Sequence, residues 1–349
     1  MKTGDVPGIK TENVTRWFIE HVPGVKPPLE FSIIPGGHSN LTYLVADSRE
    51  GRFVLRRPPL SFLRPSAHDV GREYAVMKAL MDTLVPVPEV LGFCEDHAVT
   101  GAAFYVMRHV DGWVPRDRSQ VMELLPEEGR RPLGLALAGT LAVLHEVDPD
   151  AVALGHLGRK TGYVERQLHR WARQWDSWKT REVPAVDALH VWLRDHIPDE
   201  GPATIVHGDF RLDNTIVGYV DGDIKAVLDW ELSTLGDPLA DAGMMLAYWV
   251  EPGEEPIPHL SSATASEGFP THSELAQEYA ARSGRDLSEL DFYLALGYWK
   301  IAIILEGVYS RHASGAFGKS DLELDDLISA VDRVLEAGEE AAAKKGYGG

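Results

Sequence analysis

The first hundred residues carry a pattern of apolar and polar positions that predicts short strands around one helix. Apolar runs broken by turn-forming residues predict strands at Phe31–Ile34, Leu41–Ala46, Arg52–Arg56 and Phe104–Val110. The turn-like residues 47–51 predict a hairpin between the second and third of these strands. Apolar side chains then recur at helical spacing over Val70–Leu84. A capping pattern predicts that this helix opens at Ser66, and Pro86 ends it.

After Gly112 the apolar positions follow the helical period instead. Predicted helices lie at Leu133–His145, Tyr163–Lys179, Asp187–His196, Asp237–Trp249, Ser273–Ala281, Leu287–Ser310 and Leu322–Ala342. The second of these has an apolar stripe that we expect to be buried, formed by Val164, Leu168, Trp171, Trp175 and Trp178. The chain is therefore predicted to be α+β and bilobal. An antiparallel sheet with one helix occupies residues 1–108, and a larger, mainly helical lobe occupies residues 109–349.

Composition narrows the classes of partner. Hydrophobic residues make up 44% and charged residues 25% of the chain, which is ordinary for a globular protein. A net charge of -19 disfavours nucleic acid and anionic membranes, because both attract clusters of Lys and Arg. The start of the chain lacks an apolar signal core, and the longest apolar stretches are shorter than the ~20 residues that span a bilayer. The single cysteine, Cys94, favours a reducing compartment, so we expect a cytoplasmic protein of unknown oligomeric state.

A predicted hairpin brings two oxygen-bearing side chains together. The Asp-Gly dipeptide at residues 221–222 lies between two strand-like runs and is a strong signal for a two-residue turn. If the strands are counted outward from that turn, Val220 lies opposite Asp223 and Asn214 lies opposite Asp229. Directly opposite residues share a face of the ladder. Because Mg²⁺ takes sparse oxygen ligation, Asn214 and Asp229 are predicted metal ligands.

The residues before this hairpin supply candidate catalytic groups. Asp209 lies five residues before Asn214, where a carboxylate could accept the proton of a substrate hydroxyl. Arg211 is a candidate for holding a phosphate in transfer. The alternative is a solvated loop that happens to be rich in charged residues. The joint occurrence of H-G-D-x-x-x-x-N, a hairpin and L-D-W-E favours the catalytic interpretation.

The segments HGDFRLDN, AVLDWE and GDPLADAG resemble the aminoglycoside and choline kinase branch of the protein-kinase-like fold. The stretches FVLRR-PP, SAH…REY, VMKAL and FYVM are similar to phosphotransferase domains related to those fused to some acyl-CoA dehydrogenases. The resemblance extends from about Phe31 to Tyr309. It implies a bilobal kinase-like fold that uses ATP and Mg²⁺.

The resemblance also implies roles for individual residues. It makes Asp209 the catalytic base and His207 the residue that braces its loop. It assigns Asn214 and Asp229 to the Mg²⁺ on the ATP phosphates, since kinase-like enzymes work by positioning and by charge neutralisation. The segment Asp237–Asp241 is implied to support the catalytic loop. From the residues alone, an Asp followed by Pro at the start of this segment predicts a helix N-cap.

In the N-terminal lobe the resemblance implies nucleotide-binding groups. The Gly-rich turn between the first two strands could lay main-chain N–H groups over phosphates; its candidate residues are Gly36, Gly37, Ser39 and Asn40. Arg56 takes the place of the strand lysine of classical kinases, with Arg57 on the opposite face as the competing candidate. Glu73 matches the helix glutamate that pairs with that cation. The segment Met107–Val110 matches the hinge, whose main chain would bind adenine; Met107 and His109 are its candidate residues.

The sequence thus predicts a small-molecule kinase that moves the γ-phosphoryl group of ATP to a hydroxyl. The alternative from another class is a catalytically weak nucleotide-binding module, which the Arg at the lysine position favours. A protein kinase is disfavoured, because D-F-G and A-P-E features are missing. The acceptor is predicted to be a hydroxyl-bearing small molecule. Surplus acid suits an aminoglycoside, whereas the closer resemblance points to a hydroxylated metabolite such as a hydroxyacyl thioester.

Overall fold

The computed structural model describes residues 6–35, 40–60, 69–313 and 324–347. The chain divides into two compact units. The first unit consists of Met1–Gly112 and Lys225–Ser233, and the second consists of Trp113–Ile224 and Thr234–Gly349. The predicted boundary at residue 108 did not include the nine-residue segment Lys225–Ser233 in the first unit.

The first unit contains a five-stranded antiparallel sheet with short helices. Its elements before Gly112 are α1 (Thr11–His21), β1 (Glu30–Ile33), β2 (Leu41–Ala46), β3 (Arg52–Arg57), α2 (Val70–Leu80), β4 (Val90–Cys94), α3 (His97–Thr100) and β5 (Phe104–Arg108). The strand order is β1-β2-β3-β5-β4. The predicted β2–β3 hairpin is confirmed, and the Asp47 carboxylate closes its turn by accepting from the N–H groups of Arg49 and Gly51.

Two helices of the first unit differ from the sequence-based expectation. Helix α1 was not predicted; it buries Trp17 and Phe18 against the ring of Phe104 and the ring of Phe53, respectively. Helix α2 begins at Val70, where the Asp69 carboxylate caps the N–H of Arg72 at 3.0 Å. The predicted start at Ser66 lies outside the described residues. The predicted extension to Leu84 is wrong, because α2 ends at Leu80.

The second unit is mainly helical. Its elements are α4 (Arg118–Leu124), α5 (Glu127–Glu146), α6 (Tyr163–Trp178), α7 (Pro184–Asp195), β6 (Thr204–Val206), β7 (Thr215–Val217), β9 (Thr234–Gly236), α8 (Pro238–Tyr248), α9 (His272–Ser283), α10 (Leu290–Ala313) and α11 (Leu324–Ala343). Strand β8 (Ile224–Val227) begins in this unit and continues into the first. Strands β6 and β9 form an antiparallel pair, which sets the start of the catalytic loop beside the start of α8.

Helices α8 and α10 form the core of the second unit. They approach closely because Gly243 of α8 lies against the main chain of Tyr293, so a Cβ at this glycine would overlap the carbonyl group. By length and composition α10 could cross a membrane, but 78% of its apolar window is buried inside the protein. A core helix of a globular protein has the same composition, so this feature is weak evidence for a membrane span.

Candidate active site

The catalytic loop follows β6 in the second unit. Gly208 has φ +87°, a conformation that suits glycine and lets the chain turn directly after the buried His207. The N–H of Asp209 donates to Nδ1 of that histidine at 3.3 Å. The imidazole therefore holds the main chain of the loop, in agreement with the bracing role that the resemblance implies for His207.

Asp241 of α8 holds the same loop in place through hydrogen bonds to its main chain. Its carboxylate accepts from the main-chain N–H groups of His207 at 2.5 Å and of Gly208 at 2.8 Å. Burial pushes the pKa of Asp241 upward, but hydrogen bonds from His145 and from the Gly208 amide, together with the nearby His207, outweigh it and hold this pKa below its ordinary value. An ionised carboxylate thus fixes the loop. Asp237, the earlier aspartate of the GDPLADAG segment, caps α8 by accepting from the N–H of Leu239 at 2.9 Å, as predicted.

Asp209 and Asn214 meet at the end of this loop. The Nδ2 group of Asn214 donates both to the main-chain carbonyl and to Oδ2 of Asp209, at 2.9 Å each. Because Nδ2 faces Asp209, the amide Oδ1, the atom that a metal ion would use, faces elsewhere. The predicted closeness of base and amide is therefore present within the second unit.

Arg211 lies across the same carboxylate. Its Nε is 3.2 Å from Oδ2 of Asp209, and its Nη1 is 3.0 Å from Oδ2 of Asp213. The guanidinium also stacks over the ring of Tyr248, with Cζ 4.6 Å from the ring centroid. Burial raises the pKa of Asp213, and the neighbouring Arg211 opposes that shift. The arginine is thus held at the base, where a phosphate would have to share it with carboxylates.

The predicted hairpin register is wrong by two residues. The N–H of Gly218 donates to the carbonyl of Asp223, so the loop is longer than the predicted two-residue turn. Val220, predicted to pair with Asp223, is instead fully exposed within that loop. Asn214 ends a 3-10 turn, Leu212–Asn214, and does not lie in a strand. A longer loop accommodates the turn without forcing its residues into an ideal two-residue geometry.

Asp229 lies in the first unit, in a buried ion-pair cluster. The Nη2 of Arg56 contacts Oδ1 of Asp229 at 2.7 Å, and its Nε lies 3.2 Å from Oε2 of Glu73. The Glu73 carboxylate also accepts from Tyr105 at 2.7 Å and from Asn40 at 2.9 Å. Burial raises the pKa of Glu73, and the Arg56 charge opposes this shift. The predicted pair of Arg56 and Glu73 is present, and it is buried where a surface pair was the alternative.

The choice between the two arginines of β3 is decided by their contacts. Arg57 points to the other side of the sheet, where Nη1 donates to the carbonyls of Gly8 at 2.6 Å and Thr100 at 2.9 Å. Arg56 faces Glu73 and Asp229. Arg56 is therefore the candidate phosphate-side cation, and Arg57 has a structural role.

Glu231 is a candidate metal ligand that sequence reasoning missed. Carboxylate oxygens of Glu73, Asp229 and Glu231 all lie within 4.8 Å of one another. The Nδ2 group of Asn40 donates to Glu73 at 2.9 Å and to Glu231 at 3.4 Å, so its buried Oδ1, which has no hydrogen-bond partner, faces away from these acids. Asp229 has φ +66°, an uncommon conformation for a residue other than glycine. The signal in the sequence was the D-W-E spacing: Asp229 directly precedes the 3-10 turn Trp230–Leu232, and Glu231 lies within it.

The remaining nucleotide-binding candidates divide into two groups. Gly36, Gly37 and Ser39 lie outside the described residues. Met107 is buried in β5, and the N–H of His109 donates to the carbonyl of Arg52 at 3.2 Å, so that N–H cannot serve adenine. The N–H of Val110, the next residue of the hinge segment, forms no hydrogen bond within the part of the chain that the structure describes.

Comparison with known proteins places this arrangement in a family. The sequence profile of the Phosphotransferase enzyme family matches residues 30–293. The chain belongs to this phosphotransferase family. A solved structure from Ralstonia eutropha, named as a candidate aminoglycoside phosphotransferase, is 35% identical and superposes with a TM-score of 0.81. The alignment covers 96% of this chain and 98% of that one.

More distant phosphotransferases share the fold alone. Choline kinase from Cryptosporidium parvum is 13% identical, with a TM-score of 0.68 over 97% of this chain and 98% of its own. Spectinomycin phosphotransferase, solved with ADP and spectinomycin, is 13% identical with a TM-score of 0.63. It aligns with 95% of this chain and 98% of its own. The predicted α+β, protein-kinase-like fold is therefore confirmed.

Curated relatives of this phosphotransferase are longer proteins. Acyl-CoA dehydrogenase family member 10 of Mus musculus is 36% identical over 324 residues, and family member 11 of Gallus gallus is 40% identical over 302 residues. These alignments cover 92% and 84% of this chain. The chain spans 30% of the length of the mouse relative and 38% of the chicken relative. The predicted likeness to dehydrogenase-linked phosphotransferase domains is thus confirmed.

Proposed function

We propose that this phosphotransferase is an ATP- and Mg²⁺-dependent kinase that phosphorylates a hydroxyl of a small molecule. The observation that carries the proposal is the contact of Asp209 with Asn214 on a loop anchored by the Asp241 carboxylate. A carboxylate fixed by main-chain and side-chain donors keeps one orientation, which general-base catalysis requires.

Asp209 is the group that takes the proton of the acceptor hydroxyl. The hydroxyl oxygen then forms its bond to the γ-phosphorus while the bond from that phosphorus to the ADP oxygen breaks. Arg211, held beside Asp209, supplies positive charge close to the transferring group. Most of the work is therefore positioning and charge neutralisation, as in other phosphoryl transfers.

The residues present fit a hard divalent cation and a nucleotide. Asp229 and Glu231 offer carboxylate oxygens in the first unit. The predicted ligand Asn214 belongs to the second unit. When bound, Mg²⁺ would neutralise phosphate charge. Arg56 contributes a fixed cation for the phosphates. The main chain of the hinge, with the Val110 N–H in place of that of His109, would bind adenine; ADP in the solved spectinomycin phosphotransferase supports nucleotide use.

The acceptor belongs to one of two classes. Solved neighbours are named for spectinomycin and hygromycin B, which supports an aminoglycoside-like acceptor. The more similar relatives are named for acyl-CoA dehydrogenases, which supports a hydroxylated metabolite such as a hydroxyacyl thioester.

A phosphoryl-transfer screen tests the proposal. The chain is incubated with γ-labelled ATP and Mg²⁺ across aminoglycosides, amino alcohols and hydroxyacyl-CoAs, and label on the acceptor is measured. We expect transfer to one class, loss of transfer with EDTA, and a decrease of roughly 10²–10⁴-fold in Asp209→Ala with retained ATP binding. The exposed Asp199→Ala is the control and should match the wild type. ATP binding without transfer to any acceptor would favour the catalytically weak nucleotide-binding module.

A further inference from the structure

Lys300 of α10 is a largely buried lysine that packs on a tryptophan ring. The residue is 6% exposed. Its ammonium lies 5.6 Å from the centroid of the Trp171 ring on α6. Within the described ranges, no hydrogen bond or ion pair connects this ammonium to the rest of the chain. Burying a charge is costly unless it is paired, so a ligand that pairs with this lysine would offset that cost.

Lys300 follows Gly297 by one helical turn, and Gly297 lies against Gly243 of α8, two residues after Asp241. Burial lowers its pKa, the charges of Asp241 and Asp209 oppose that shift, and Arg170 on α6 adds to it. Both carboxylates already bind other donors: Asp241 accepts from the main-chain loop amides, and Asp209 from Asn214. Lys300 is therefore not the brace of the loop, although its charge acts on the base.

We propose that Lys300, resting on the ring of Trp171, binds an anionic or carbonyl oxygen of the phosphoryl acceptor next to Asp209. This inference rests on the proposed function and narrows its acceptor class. The ammonium has three N–H donors, and none of them forms a hydrogen bond to a described residue, so a ligand oxygen can accept from it. A ligand oxygen would also be a direct partner for the ammonium, which neither Asp241 nor Asp209 is, since both bind other donors.

The same feature selects against polycationic acceptors. A fixed positive charge beside the base repels an amine on the acceptor, and in a buried site that repulsion is weakly screened. The hydroxylated acceptor is therefore of the carboxylate, thioester or amide class, and aminoglycosides are disfavoured. This is a property of this chain's own residues and does not follow from the family fold.

Three compounds on one C4 skeleton test the proposal. 3-Hydroxybutyrate, 1,3-butanediol and 4-amino-2-butanol share a secondary hydroxyl and differ in an anionic, neutral or cationic end. Dissociation constants are measured by calorimetry with ADP and Mg²⁺ present, for the wild type, Lys300→Met and the control Lys160→Met. Lys160 is a largely exposed lysine of the same unit, paired with Asp150. Binding is measured without turnover, so a failure of phosphoryl transfer in the screen does not decide the result.

We expect the wild type and Lys160→Met to bind the anionic compound about tenfold or more tightly than the neutral one, the gain from a charged hydrogen bond. The cationic compound should bind most weakly. Lys300→Met should remove the preference for the anion. Its thermal midpoint should stay equal or rise, since an apolar side chain replaces an unpaired buried charge. Equal binding of all three compounds, no binding of any, a cationic preference, or an unchanged preference in Lys300→Met would each overturn the proposal.

Discussion

At the residue scale, Arg56 explains why an arginine can stand where classical kinases have a lysine. Its Nη2 donates to Asp229, and its Nε lies within ion-pair distance of Glu73, so one planar group lies beside two carboxylates. A lysine ammonium is a compact point charge and cannot hold both acids in that fixed fork geometry. The departure from the classical pattern is therefore a different way to satisfy the same buried acids, and it does not by itself favour a catalytically weak module.

A double-mutant cycle measures how strongly this pair depends on its two members. Arg56→Ala leaves the fully buried Glu73 without its nearest positive charge, so we expect the free energy of unfolding to fall by about 3–5 kcal/mol. Adding Glu73→Gln should recover part of that loss, with an interaction energy of about 0.5–3 kcal/mol. Urea unfolding of the four proteins provides the values.

Arg52→Ala is the matched control on the same strand. Arg52 pairs with Asp111 at 2.8 Å, but both side chains are largely exposed, so its removal should change stability by at most about 1 kcal/mol. Equal losses in Arg52→Ala and Arg56→Ala, or strict additivity in the cycle, would contradict the description of the Arg56 pair as a coupled, buried unit.

The same residues show what the sequence could predict. Strand alternation correctly put Arg56 and Arg57 on opposite faces, yet it could not say which face carries the acids. That choice depends on Glu73 and Asp229, which are distant from β3 in the sequence. Glu231 escaped prediction for a related reason, because an acid two residues after another is ordinarily read as lying in a solvated loop.

At the element scale, long periodic segments were predicted well and short irregular ones were not. Helices such as α6 and α8 have several turns of apolar period, so their location follows from local sequence. The hairpin after Asn214 has strands of three and four residues, and its loop length decides the register. A two-residue shift keeps the facing side chains on one side while changing every partner, which the local pattern cannot detect.

Packing between α8 and α10 gives a prediction at this scale. Gly243→Ala would place a methyl group on the main-chain carbonyl of Tyr293, so the helices must separate. We expect the free energy of unfolding to fall by about 1–3 kcal/mol through overpacking, although alanine favours a helix by about 1 kcal/mol over glycine. The control is Gly129→Ala in α5, where the added methyl meets only the side chain of Leu125. A gain in stability at Gly243 equal to that at Gly129 would refute the close contact.

At the scale of the whole molecule, the chain passes from the second unit to the first at Lys225 and back after Ser233. Composition and period do not reveal this exchange, since membership of a unit depends on contacts between residues far apart in sequence. The crossing segment carries Asp229 and Glu231, so candidate metal ligands belong to the first unit while Asp209 and Asn214 belong to the second. Each unit has its own polar network: Arg56, Glu73 and Asp229 in the first, and Asp209, Asn214 and Asp241 in the second.

The buried network of His145, Tyr279 and Asp241, which contacts the catalytic loop through Asp241, makes stability depend on pH. His145 is 2% exposed; its Nδ1 accepts from Tyr279 at 2.8 Å, and its Nε2 lies 3.4 Å from Asp241. Burial lowers the pKa of His145 below 6.5, and Arg285 adds to this, although Asp241 opposes it. The native imidazole therefore stays neutral as pH falls below 6.5, whereas the unfolded chain binds a proton there. Because the unfolded state then holds more protons, the free energy of unfolding must decrease with falling pH in this window.

His145→Gln removes the titration while keeping an amide that can accept from Tyr279 and donate to Asp241. The measurement is urea unfolding at pH 7.5, 6.5 and 5.5. At pH 7.5 the wild type should have a larger free energy of unfolding than this variant. The difference should narrow by about 1 kcal/mol at pH 5.5, since one pH unit is worth at most about 1.4 kcal/mol per proton. The exposed His169→Gln on α6 controls for loss of an imidazole as such. If the difference in free energy of unfolding stays constant or widens toward pH 5.5, His145 carries its proton in the folded state. The catalytic loop would then be held by a charged pair of His145 and Asp241, and not by a neutral imidazole beside an ionised Asp241.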